Sequence, residues 1–189
     1  MNRSFAHFGA IAITAGMLLT PALPVTAQMQ GEAAQNPQSM PSPPATATVT
    51  VGGGTIDIKY NSPRLRGRHV GGPEIVPYGQ VWRTGANPAT TIITSVPLKF
   101  GNLMVPAGTH TLYTLPNANG WQLIINKQTG QWGTEYHQEQ DLGRLPMQSK
   151  TLSSPQENMS ISFENTKPNS TELHVRWEKT DEYVTITKP

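Results

Sequence analysis

The sequence contains no cysteine. This absence excludes disulfide bonds, thiolate metal centres and lipid attachment to an N-terminal cysteine, so the fold must depend on an ordinary hydrophobic core. Charge of one sign is not in large excess either, because 14 Lys and Arg residues stand against 12 Asp and Glu residues. Such a balance gives no reason to expect nucleic acid as a partner.

A long apolar run occurs only at the N-terminus. Arg3 precedes a mostly apolar or small stretch at residues 5–19, and Val25 and Ala27 occupy the two small-residue positions of a signal-peptidase site. The run is shorter than the roughly 20 residues that span a bilayer. We therefore predict a signal peptide at residues 1–27, export to the periplasm or the extracellular space, and no stable membrane insertion after cleavage. The alternative is a retained membrane anchor.

The segment at residues 28–45, QMQGEAAQNPQSMPSPPA, is rich in Gln, Pro, Ser and Met and has no apolar period. We predict a disordered spacer there. Residues 46–189 form one predicted domain, long enough to bury about 68% of the surface of its unfolded chain. Its basic residues are unevenly distributed, since arginines at positions 64, 66, 68 and 83 lie close together. This grouping fits an anion-facing patch.

Apolar and polar residues alternate through the predicted domain, and no stretch has a convincing helical period. TATVTV at residues 46–51 and TIDIKY at residues 55–60 are two such strands, joined by a glycine turn. The pattern predicts an all-β, single-domain, antiparallel sandwich or barrel of about nine or ten strands. Residues 131–148 are ambiguous, and we predict a strand followed by a loop or one short turn. The last three predicted strands cover residues 158–165, 170–179 and 182–188.

One loop-like stretch, VPYGQVWRTGANPATT at residues 76–91, contains side chains that loops rarely carry. A loop offers little core in which an indole can be buried. Arg83 presents five planar donors that suit a carboxylate or a phosphate, and Trp82 presents a flat face on which a sugar ring or a cation can rest. Thr84 and Asn87 add short hydrogen-bonding groups. The combination predicts a small-ligand site.

Several motifs of the domain resemble domain of unknown function family 2911, whose members are exported bacterial proteins. GR, VPYG, WRTGAN, AT, PAG, NK, QWG and D..R follow one another in the family's order, from about Ala47 to the final strand. The resemblance implies an exported, single-domain, all-β protein, and it implies no particular reaction. His110 departs from the family pattern, which usually has tyrosine at this position.

The motif NKQTGQWG can converge on the Trp82 loop and adds two candidates. The predicted ligand-binding residues are Arg68, Trp82, Arg83, Thr84, Asn87, Asn126 and Trp132. The alternative is structural: the tryptophans close the core, and Arg83 bonds loop carbonyls and an internal carboxylate such as Asp57 or Asp141. In DLGR, Asp141 and Arg144 also have the spacing of a local ion pair.

We predict a non-catalytic module that binds a small polar or anionic ligand or an envelope glycan. The alternative is a structural, envelope-associated module, with or without an internal crosslink from Lys59, Lys99 or Lys127 to an asparagine or aspartate. A metal-dependent or hydrolytic enzyme ranks third, because the histidines lack close ligand spacing and no G-x-S-x-G motif occurs. We predict no metal and no cofactor, name no catalytic residue, and make no prediction of oligomeric state. The histidines considered are His69, His110, His137 and His174.

Overall fold

Ten β-strands and one 3₁₀ turn form the regular structure of residues 40–189, the part of the chain that the computed structural model describes. The predicted signal peptide and most of the predicted spacer lie outside these residues. The elements are β1 (Pro44–Val51), β2 (Gly54–Asn61), β3 (Thr90–Thr94), β4 (Leu98–Phe100), β5 (Leu103–Val105), β6 (Gly108–Leu115), β7 (Gln122–Asn126), the 3₁₀ turn (Gln138–Gln140), β8 (Asp141–Pro146), β9 (Gln148–Lys167) and β10 (Ser170–Thr187).

The strands form two antiparallel sheets. One sheet has six strands in the order β1-β2-β3-β6-β7-β8, and the other has four in the order β5-β4-β10-β9. The predicted all-β fold is therefore confirmed, and between its two alternatives the structure is a sandwich, since each sheet keeps two edge strands. Among residues 40–189, no helix has the length and hydrophobicity needed to cross a membrane.

The β1–β2 hairpin shows how the alternating sequence produces the fold. Ile56, Ile58 and Tyr60 of β2 are buried, while the residues between them are less so. Gly52 and Gly53, which connect the strands, have φ angles of 63° and 83°. A tight hairpin turn of this kind needs positive φ at both positions, a conformation that glycine adopts without steric cost.

The main core lies between the two sheets. It combines aliphatic residues of β2, β7 and β10 with three indoles, those of Trp82, Trp121 and Trp177. A second, smaller cluster contains Ala89, Tyr113 and Ile124. Two connections, loop 81–89 and segment 127–140, contribute residues to this second cluster. These residues cover part of the six-stranded sheet, so both connections are packed against it.

The predicted strand boundaries were wrong in three places. The segment predicted as two strands, 170–179 and 182–188, is the continuous β10, because register shifts around Glu178, whose φ is 54°, bend the strand without ending it. Strand β9 begins at Gln148 rather than at residue 158. In the ambiguous region 131–148, the loop and turn come first and the strand follows. Bulges and edge strands weaken the two-residue period from which strands were predicted.

Candidate functional site

The loop at residues 83–89 connects two stretches of chain that both pair with β6. Just before it, Trp82 and Thr114 exchange two backbone hydrogen bonds of 2.8 and 2.9 Å. Just after it, Thr90 starts β3, which pairs with the same strand β6. The Thr90 amide also donates to the Arg83 carbonyl across the base of the loop, at 3.4 Å. The sheet therefore holds both ends of the loop in place.

Hydrogen bonds inside the loop maintain an unusual backbone. Thr84 and Asn87 have φ angles of 52° and 61°, and such a value is a clear outlier for a β-branched residue. The Thr90 hydroxyl donates to the Thr84 carbonyl at 2.9 Å, and the Ala86 amide donates to the Asn61 carbonyl at 3.1 Å. These bonds stabilise a conformation that the sequence alone would disfavour.

The Arg83 side chain is held by packing and is left without a polar partner. Within residues 40–189 its guanidinium makes no hydrogen bond or ion pair, and its Nε atom is completely buried. Burial lowers the pKa of Arg83 below its usual value. A Cβ atom added at Gly133 would lie 1.9 Å from Arg83 Cδ and 2.6 Å from the Asn87 carbonyl oxygen, so only glycine fits beneath the arginine.

Arg83 lines a cleft of about 250 Å³. Two cations and one carboxylate, Arg68, Arg83 and Glu74, lie around it. Arg68 donates to the carbonyls of Leu65 and Arg64 at 3.0 and 2.9 Å, and among the described residues it has no carboxylate partner. The cleft therefore carries a net positive charge. Its lining is Ser42, Pro63, Arg68, Glu74, Ile75, Trp82, Arg83, Gly85, Ala86, Asn87 and Trp177.

Trp82 belongs to the core as much as to the cleft. Its indole stacks on that of Trp177, with ring centroids 5.7 Å apart, and meets the edge of Trp121 at 6.0 Å. Its Nε1 donates to the Gly85 carbonyl at 3.1 Å, and only 7% of the residue is exposed. The structure thus differs from the expected open stacking face, because neighbouring indoles cover the ring.

Four of the seven predicted ligand-binding residues line this cleft, namely Arg68, Trp82, Arg83 and Asn87. Thr84 does not, because its side chain is buried with its hydroxyl 3.1 Å from that of Thr114. Trp132 is also outside the lining, although the residue is 52% exposed and its backbone pairs with Pro88 at the end of the loop. The QWG segment therefore does meet the Trp82 loop, through backbone contacts.

Asn126, the seventh, belongs to a separate polar network. Its amide nitrogen donates to Asp141 Oδ1 at 2.9 Å. The other carboxylate oxygen accepts from Tyr136 at 2.7 Å and from Arg144 at 2.8 Å, so the predicted Asp141–Arg144 ion pair is present. Desolvation, with the neighbouring carboxylate, raises the pKa of Tyr136 to about 12. This network anchors the segment that precedes β8 and leaves no ligand-binding group free on Asn126.

Neither carboxylate expected to pair with Arg83 does so. Asp141 is engaged as described, and Asp57 accepts from the Thr48 hydroxyl at 2.7 Å. Two of the residues that were not predicted to belong to this region determine its charge and the position of Arg83. Glu74 was missed because nothing local marks it, and Gly133 was missed although the QWG motif contains it, because its packing role depends on a distant arginine.

Three of the four histidines considered contact carboxylate groups. His174 is buried, with its Nδ1 2.7 Å from Asp181 and its Nε2 3.2 Å from Glu172. His69 and His137 each contact one glutamate. Across residues 40–189, no group of three or more His, Asp or Glu side chains is positioned to hold a metal ion. In the same region, Lys59, Lys99 and Lys127 make no hydrogen bond or ion pair with an asparagine or aspartate.

Glu182 is a buried carboxyl group whose ionisation should affect stability. Burial raises its pKa to about 7, although a hydrogen bond from Ser149 opposes the shift. The folded state therefore binds a proton that the unfolded chain releases near pH 4.5, and this stabilising contribution is lost as the pH rises to about 7. We expect wild type to lose on the order of 2 kcal/mol relative to E182Q between pH 4.5 and pH 8.

Urea denaturation of wild type and E182Q at several pH values measures this difference, because titrations common to both proteins cancel. Glu139→Gln is the control, since its exposed carboxylate lies beside His137 in the same domain. A constant difference between wild type and E182Q across this pH range would contradict the prediction.

Comparison with known proteins gives a family and nothing finer. The sequence profile of a protein family of unknown function, DUF2911, matches residues 42–186. Searches of curated proteins and of solved structures find no match. The matched region contains all ten strands except the last residue of β10, Thr187, and it contains every residue that lines the Arg83 cleft. The chain therefore belongs to the DUF2911 family of proteins of unknown function.

Proposed function

We propose that the protein binds a small anionic ligand, a carboxylate or a phosphate group, in the Arg83 cleft. The observation that carries the proposal is the unpartnered Arg83 guanidinium, which is partly buried and positioned by Gly133. Burying a charge without a partner is costly. Proteins accept such a cost at sites where a ligand supplies the missing partner.

The surrounding groups support an anion of modest size. A guanidinium can donate two parallel hydrogen bonds to a carboxylate or phosphate, and Arg68 adds a second positive charge nearby. Asn87 is exposed and lines the cleft, so its amide can bond polar parts of the ligand. Export, as expected from the N-terminal sequence, would bring the cleft into contact with acidic glycans of a cell envelope.

Arg83→Gln tests the proposal. Because charge-assisted hydrogen bonds contribute about 1.5–3 kcal/mol, we expect R83Q to bind roughly 10- to 100-fold more weakly than wild type. The probes are inorganic phosphate and glucuronate, measured by NMR titration of the full chain. Loss of the unpaired buried charge should leave the melting temperature unchanged or slightly higher.

Arg66→Gln is the matched control, since it removes the same charge from an exposed arginine outside the cleft. Gly133→Ala is a second variant that retains Arg83 but displaces it, and it should weaken binding as well. The proposal fails if neither probe shifts amide resonances of residues 82–87. If R83Q instead melts far below wild type, Arg83 has the structural role that the sequence left open.

A further inference from the structure

We propose a second ligand site, a saccharide-binding cleft between Tyr78 and Glu182. This cleft has a volume of about 350 Å³ and is separate from the Arg83 cleft, with which it shares no lining residue. The turn at residues 117–121, the start of β9 and the middle of β10 surround it. Its function does not depend on Arg83 or on the binding of an anion.

Glu182 supplies an acceptor that the protein itself does not saturate. The residue is 4% exposed and lines the cleft. Its two carboxylate oxygens lie 2.8 and 2.7 Å from the Ser149 hydroxyl, which has one hydrogen to donate. Among residues 40–189 no other group donates to this carboxyl. A buried carboxylate can accept about four hydrogen bonds, so adjacent hydroxyl groups of a sugar ring would satisfy it.

Tyr78 supplies an aromatic surface that is fixed in place. A Cβ atom at Gly71 would lie 2.4 Å from Tyr78 Cζ, so the ring packs directly on that glycine. The residue is nevertheless 46% exposed, and it lines the cleft. An aromatic ring with one supported side and one accessible side is suited to stacking against the apolar face of a pyranose.

The cleft carries charges of both signs, because two lysines and the buried carboxylate of Glu182 line it. Lys150 and Lys179 line it, and they would repel a cation. The buried carboxylate of Glu182 would repel an anion that came close to it. The side chains of Asn117 and Asn119 offer both donors and acceptors without charge. A polyhydroxylated, uncharged ring is repelled neither by the lysines nor by the buried carboxylate, and it can hydrogen-bond to the asparagine amides. An amine would be repelled by the lysines, and a carboxylate by Glu182.

The test uses three neutral trisaccharides, maltotriose, cellotriose and chitotriose, in NMR titrations of the full chain. We expect at least one of them to shift amide resonances of residues 117–121 and 179–182. Tyr78→Ala should weaken that binding roughly tenfold, because it removes the stacking surface, whereas Tyr78→Phe should retain it. Trp132→Ala is the control, since it removes an exposed aromatic residue outside the cleft.

The pH profile separates a binding role of Glu182 from a structural one. The burial of Glu182 places its pKa at about 7, so affinity should rise by roughly tenfold from pH 6 to pH 8 as the carboxylate forms. In E182Q this dependence should disappear. The proposal is overturned if none of the trisaccharides shifts these resonances, or if Tyr78→Ala and Tyr78→Phe bind equally well. R83Q should bind the trisaccharide like wild type, so failure of one site does not imply failure of the other.

Discussion

Trp82→Ala is expected to lower the free energy of unfolding by about 3–5 kcal/mol, the largest loss predicted for this protein. The substitution removes an indole that stacks on Trp177 and touches the edge of Trp121. It also leaves the buried Gly85 carbonyl without its donor. Because the ring lies between two other indoles, neighbouring side chains cannot refill the space without losing contacts of their own.

Trp132→Ala provides a control with the same change in side chain. Trp132 is 52% exposed, so its loss should change stability by less than about 1 kcal/mol. Urea denaturation followed by far-ultraviolet circular dichroism compares both variants with wild type and does not depend on the altered tryptophan fluorescence. Equal losses for the two variants would show that the indole stack contributes little to the core.

Asp181→Asn is expected to destabilise the protein by about 3 kcal/mol. The buried carboxylate of Asp181 contacts His174 Nδ1 at 2.7 Å and Arg176 Nη2 at 3.0 Å. Asparagine keeps the shape but not the charge, so the buried His174 and the half-buried Arg176 both lose their contact with a carboxylate. The loss should fall at the lower end of the usual range, because Arg176 keeps its bond of 2.9 Å to Glu164.

Glu139→Gln alters a comparable histidine–carboxylate contact at the surface, where the His137–Glu139 distance is 3.1 Å. Water solvates both of these groups, so the change should be within about 0.5 kcal/mol. Thermal denaturation should therefore separate the variants, with D181N melting roughly 6–12 °C below wild type. If D181N and E139Q melt together, the buried cluster does not stabilise the fold.

The sequence predicted those parts of the structure that depend on neighbouring residues. Alternation in TIDIKY fixed the buried face of β2, the glycines at positions 52 and 53 indicated its hairpin, and the spacing of Asp141 and Arg144 indicated their ion pair. Each of these features is a local relation, set by strand period or turn geometry.

Features that depend on distant residues were not predictable in the same way. Arg83 has a free guanidinium because Gly133, far along the chain, leaves room for its stem. The ring face of Trp82 that was expected to be open is covered by Trp177, which lies on the other sheet. His174 and Asp181 meet across an irregular part of β10, where the register shifts hide the alternation. No pattern within a short window contains these contacts.

The four edge strands also bear on the behaviour of the protein at high concentration. A free strand edge can recruit a strand from another molecule, and proline or short length prevents such growth. Proline occurs in three of the edges, at Pro44 in β1, Pro146 in β8 and Pro155 in β9. The fourth edge, β5, has only three residues. An open sandwich without disulfides is thereby protected against edge-to-edge aggregation by its own sequence.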